Sequence, residues 1–186
     1  MVKYTADGEY VMRIGSPGPS LGNNDTTRLG RPAGLFVDPE RNELYVADAY
    51  ANQRIIVFDA ATGEYRRHWG AYGHPPVDTG QPAATPGNYP DKPGPTSFAL
   101  PHGLRVSSDG LVYVADRPNK RIQIFDRSGR FLTEQVYLAA TEGLGSTWDL
   151  AFTPDSGQSL VVVADGENNQ LHFARLETGE IVGSVG

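Results

Sequence analysis

The sequence predicts an all-β fold, a partial β-propeller of four-stranded antiparallel blades with half a blade followed by three full ones. Three observations predict it. A segment of roughly 40 residues recurs over residues 31–70, 100–137 and 147–186, a repeat length typical of propeller blades. Within each repeat, apolar and polar residues alternate with period two, as in strands, and not with the helical period. Turn-forming residues divide each repeat into four short runs, named a to d below. No segment carries a helical stripe, which argues against a helical repeat.

Residues 1–15 match the second half of a repeat: two short runs, c and d, flank the turn Ala6-Asp7-Gly8. An insert follows over 16–28, with Pro17, Pro19, Asn23, Asn24 and Asp25. In the first full repeat, strands are predicted over 33–37, 43–47, 54–58 and 64–69. There Leu44, Val46 and Asp48 alternate with Tyr45 and Ala47, and Ile55, Val57 and Asp59 with Ile56 and Phe58. Asp38-Pro39 and Ala61-Thr62-Gly63 supply its turns. Residues 71–99 form a Pro/Gly-rich loop, expected as a surface excursion over one face. The second repeat turns at Ser108-Asp109-Gly110 and Ser128-Gly129, the third at Pro154 to Gly157 and at Thr178-Gly179. Propellers close with about four to eight blades, so three and a half are not expected to close alone.

Of the 186 residues, 39% are hydrophobic and 20% charged, which supports a packed core and argues against disorder. The net charge is −6 and no basic stripe exists, so nucleic acid is not an expected partner. No stretch approaches the roughly 18 apolar residues of a membrane-spanning helix, and no membrane partner is expected. The N-terminus has no apolar core of the signal-peptide kind, and the compartment is left open. Cysteine is absent, which excludes disulfides, Cys-ligated zinc, iron–sulfur clusters and a Cys nucleophile.

Strand a of a propeller lines the central channel. The equivalent positions at its start are Ala33, His102 and Trp148, which differ in size and chemistry. His102 is therefore either a channel-facing ligand or a hydrogen-bonded packing histidine. Each b–c connection begins Ala-Asp: Ala47-Asp48, Ala115-Asp116 and Ala164-Asp165. Asp48 and Asp116 are expected to cap their own turns by accepting backbone N–H groups. Arg54 and Arg121 recur after an Asn and are expected to pair with neighbouring strands. Tyr50 occurs only in the first b–c loop and Arg117 only in the second. Strand a starts and strand b ends on one face, so Tyr50, His102 and Arg117 should share one end of the channel. His68, in an outer strand, His74, in the Pro-rich loop, and His172, packed or exposed in a c strand, are weaker candidates. The sequence has no HExxH pair, no GxSxG elbow, no phosphate-cradling glycine loop and no calcium loop.

The runs RPAGLFVD…LYVADAYANQRIIVFDAATGEY and LPHGLRVSSDGLVYVADRPNKRIQIFD resemble NHL repeats, which form six-bladed β-propellers. Within that group they are similar to peptidyl-α-hydroxyglycine α-amidating lyase and its bacterial relatives. That resemblance implies a carbon–nitrogen lyase that gives a peptide amide and glyoxylate, with zinc held by three histidines. It implies His102 as one zinc ligand, Tyr50 as the catalytic tyrosine and Arg117 as a substrate-binding arginine. The other two zinc histidines and a first-blade arginine have no counterpart here, so the expected zinc site is incomplete in this chain.

Two functions follow as expectations. One is an NHL-repeat scaffold or binding module, not catalytic by itself, with a peptide or small-molecule ligand at the channel mouth. The other is a zinc-dependent amidating-lyase-like enzyme whose site a second chain or further blades complete. Open blade edges predict self-association as a homodimer. Carbohydrate binding through the Pro-rich loop is a weaker third reading.

Overall fold

A computed structural model of the chain describes residues 1–78 and 95–186. The first two strands, β1 (Val2–Tyr4) and β2 (Tyr10–Arg13), form an antiparallel pair. The next four are β3 (Pro32–Asp38), β4 (Glu43–Asp48), β5 (Arg54–Asp59) and β6 (Tyr65–Trp69), in sequential order in one sheet. The second four-stranded sheet holds β7 (Pro101–Val106), β8 (Val112–Asp116), β9 (Arg121–Phe125) and β10 (Phe131–Val136). The third holds β11 (Asp149–Phe152), β12 (Leu160–Asp165), β13 (Gln170–Arg175) and β14 (Ile181–Val185). Every pairing is antiparallel. Among the described residues this is the half blade and three meander blades that the periodicity predicts, with boundaries shifted by a residue or so. The described helical elements are two single 3₁₀ turns, at Ala71–Gly73 and Arg117–Asn119.

The blades pack face to face, and alternation decides which residues meet. Tyr45, Ala47, Ile55 and Val57 of the first blade cluster with Leu104, Val106, Val112, Val114 and Phe125 of the second. The second blade offers Tyr113, Ala115, Ile122 and Ile124 to Leu150, Val161, Val163 and Ala174 of the third. The half blade covers Leu44, Val46, Ile56 and Phe58 with Ile14 and Met12. Apolar burial between blades therefore holds the arc together.

The Pro-rich segment is not simply a surface excursion. Its ends are core: Ala71 and Phe98 are buried in the cluster between the first and second blades. The middle of that segment, residues 79–94, lies outside the described residues, and with it the carbohydrate-binding reading.

The recurring Asp and Arg have a larger role than expected. Arg54 and Asp48 form a fully buried ion pair at 2.9 Å, and Arg121 and Asp116 another at 3.0 Å. Each arginine also donates to an insert, and Arg121 pairs with Glu134 of its own blade as well. Arg54 reaches Asn23 O (2.6 Å) and Arg28 O (3.0 Å), while Arg121 reaches Pro95 O (2.8 Å) and Ser97 O (3.1 Å). The expected capping by Asp48 and Asp116 of their own turns is corrected. Their backbone donors come from the segment preceding strand a: Gly30 N for Asp48, Ala99 N and Leu100 N for Asp116. Their own turns are held instead by the Asn52 and Asn119 amides, each at 2.7 Å. In the third blade Asn168 repeats the Asn contact to Asp165, and buried His172 stands 3.3 Å from the same carboxylate. His172 is thus a packed residue with an acidic partner.

Candidate functional site at the channel mouth

Strand a positions the site through a bulge. The register of β7 on β8 slips between Pro101 and Gly103, and that of β3 on β4 between Pro32 and Gly34. The extra residues are His102 and Ala33. A bulge frees a side chain from strict alternation and re-aims it. His102 is the bulky case. A Cβ on Gly34 would lie 2.5 Å from the His102 carbonyl oxygen, so glycine lets the two inner strands meet there.

His102 Nδ1 lies 2.8 Å from the Trp148 carbonyl oxygen. A carbonyl only accepts, so Nδ1 carries the proton and Nε2 presents its lone pair. Tyr50, half exposed, donates its hydroxyl to that lone pair at 3.2 Å. The two rings meet edge on, with centroids 6.1 Å apart. Trp148 continues the chain of contacts: its ring is 6.0 Å from His102, and the Arg117 guanidinium lies 4.0 Å from its centroid. Such a stack contributes about 0.5–2 kcal/mol. Arg117 is buried, and its Nε donates to Leu144 O at 3.0 Å. Trp148 Nε1 donates to Gly145 O, and a Cβ on Gly166 would lie 2.7 Å from the indole, so Gly166 leaves room for the ring.

Tyr50 and His102 thus meet directly, and Arg117 joins them through Trp148 without touching either. The sequence placed Trp148 at the equivalent of His102 but gave no sign that it bridges them. A groove of about 350 Å³ opens beside Tyr50, lined by Leu21, Asn23, Asn52, Val77 and Leu100 among others. His68 lies away from this site, bonded to Tyr65 Oη (2.8 Å) and Asn24 Oδ1 (3.2 Å). His74 follows the first 3₁₀ turn and stacks loosely on Tyr72.

His102 has the ligand-ready tautomer, with Nδ1–H held by a carbonyl as in many metal-binding histidines. Among the described residues, however, no three His, Asp or Glu side chains converge to hold a metal. One imidazole does not fit a catalytic zinc, which takes three protein ligands.

The family model described as NHL repeat matches residues 98–125, the second blade from its entry to the end of β9. These are NHL-repeat propeller blades. Human NHL repeat-containing protein 3 is 30% identical over 189 residues, covering 99% of this chain and 46% of that protein. The mouse protein of the same name is covered to 42%, so the chain spans less than half the length of these relatives. Peptidyl-glycine alpha-amidating monooxygenase B of Xenopus laevis is 34% identical over 113 residues, covering 60% of this chain and 11% of that protein. A protein of unknown function from Bacteroides caccae superposes with a TM-score of 0.57 at 16% identity, over 97% of this chain and 52% of that one. That likeness concerns the fold alone.

Proposed function

We propose that this chain is part of a six-bladed NHL-repeat propeller that works as a scaffold or binding module and is not catalytic by itself. A peptide or small-molecule ligand sits at the channel mouth. The observation that carries this reading is the continuous Tyr50–His102–Trp148–Arg117 set beside an open groove. These side chains differ from repeat to repeat where the rest of the blade pattern is kept. The set offers a hydroxyl, an imidazole lone pair and aromatic edges, which suit a polar group carried on a peptide-sized ligand.

A second reading is favoured by one observation, the free Nε2 of His102 beside the Tyr50 hydroxyl. In it the protein is amidating-lyase-like, and zinc ligands beyond His102 come from a second chain or further blades. The 34% identity to an amidating enzyme supports this reading over the region it covers.

One probe tests both, a short peptide ending in α-hydroxyglycine. Binding by calorimetry without glyoxylate release, weakened in His102→Ala, supports the module. Glyoxylate release with stoichiometric zinc, both lost in His102→Ala, supports the lyase. Absence of binding and turnover sinks both.

A further inference from the structure

The interblade grooves on the opposite face of the arc are not equivalent, and the difference is chemical. Between the first and second blades, Tyr45 donates its hydroxyl to Glu43 Oε2 at 2.8 Å and accepts from Arg67 Nη2 at 3.0 Å. Arg67 also grips Glu43 through two bonds of 2.6 Å and reaches Arg127 O at 2.8 Å. That ion-pair cluster forms the wall of a groove of about 450 Å³, which is therefore charged.

One blade on, Tyr113 takes the place of Tyr45, since Tyr45 pairs with Val57 and Tyr113 with Ile124. The partners do not recur. Leu111 stands where Glu43 was and Thr133 where Arg67 was. Tyr113 is only 4% exposed, its ring packs on Phe152 with centroids 5.0 Å apart, and among the described residues its hydroxyl has no hydrogen-bond partner. The small exposed part of Tyr113 opens onto a groove, where its hydroxyl is available to a ligand. Leu111 and Thr133, the positions toward which the equivalent hydroxyl points, both line a groove of about 540 Å³. That volume lies within the roughly 300–1,000 Å³ of small-molecule sites.

The walls are apolar: Leu111, Ile124, Leu132 and Leu176. The mouth is acidic. Asp109 and Glu177 line it, and neither is in an ion pair among the described residues, whereas Arg175 faces Glu180 at 3.4 Å. Burial, and then the Asp109 carboxylate, push the Tyr113 hydroxyl up to about 12, so it stays protonated at physiological pH.

We propose that this groove between the second and third blades binds a small amphipathic amine, its apolar body against the leucines, its ammonium between Asp109 and Glu177, and its polar group on the Tyr113 hydroxyl. The site is separate from the Tyr50–His102 site and does not depend on its function.

The test uses 2-phenylethylamine, with 3-phenylpropionate as a probe of similar size and opposite charge, each titrated by NMR into the whole chain. The amine should bind, shift the resonances of residues lining the groove, and weaken with salt. Tyr113→Phe should weaken it by about threefold to tenfold, the value of one hydrogen bond. Leu111→Glu with Thr133→Arg rebuilds the first-blade cluster at unchanged net charge, and should replace the apolar wall by a charged one, occupy the Tyr113 hydroxyl and eliminate binding. Tyr113→Phe removes only an unpartnered hydroxyl, so it folds whether or not the double variant does. No amine binding, equal binding of the carboxylate, or undiminished binding in Tyr113→Phe would each overturn the proposal.

Discussion

Arg54 shows how much one side chain can decide. It is fully buried, paired with Asp48, and tied to two carbonyls of the 16–28 insert. Removing one partner of a buried pair leaves an uncompensated charge, so Arg54→Ala should cost about 3–5 kcal/mol, measured by urea unfolding. Arg54→Ala should also loosen the 16–28 segment, seen as faster amide exchange there. His68 carries a pH dependence. Burial, and then the nearby Arg54 charge, hold its imidazole below the ordinary histidine value of 6.5. The folded state therefore binds fewer protons than the unfolded chain just below pH 6.5. Stability is fully present above that value and falls as the pH drops through the lowered folded value. His68→Gln should flatten this decline in the urea midpoint between pH 7 and 5, and an unchanged slope would remove His68 as its source. Sequence placed Tyr50, His102 and Arg117 on one face, because blade topology alone fixes that. It did not reveal the Trp148 bridge, because a stack depends on side-chain direction and on the bare Gly166 backbone beneath the ring.

At the scale of strands, alternation was enough to locate every blade. Period two, with turn residues between runs, is a local signal that tertiary context rarely reverses in so regular a repeat. The bulges at Ala33 and His102 were not legible, since a bulge keeps the residue order and changes only the pairing. Nor were the insert anchors on Arg54 and Arg121, which join segments 20 or more residues apart. The bulge makes a prediction. Gly34→Ala would set a methyl 2.5 Å from the His102 carbonyl oxygen. Backbone cannot yield as a side-chain tip can, so the variant should lose about 1–3 kcal/mol. It should also shift His102 relative to Tyr50, read as a change in the imidazole resonances. A Gly34→Ala protein with native stability and an unmoved His102 would show that the inner strands have slack.

On the scale of the arc, the blade pattern itself states which surfaces lack a cover. Leu35 and Val37 correspond to Leu104 and Val106, yet they are 56% and 49% exposed against 0% and 9%. At that end β1 and β2 already occupy the outer half of the adjoining blade position, so a whole foreign blade does not fit there. Among the described residues, nothing covers the far face of the third blade. Val162 and Phe173 pair in register, as do Ala164 and Leu171, in the places of Tyr45, Val57, Ala47 and Ile55. The first-blade residues are all fully buried, whereas Leu171 is 43% exposed. An apolar face of this size, flanked by the exposed strand β14, favours association with another apolar face. Two copies joined through it make a two-fold, self-complementary contact. Light scattering should then give twice the 20.1 kDa chain mass. Leu171→Asp with Phe173→Ser should return it to one chain without unfolding it, because neither residue belongs to the clusters that hold blade to blade. A wild-type chain that runs as a clean monomer would mean that the open face is stable in water. A second copy would then supply no ligand at the channel mouth, and a zinc-dependent reaction would need ligands beyond His102 from further blades.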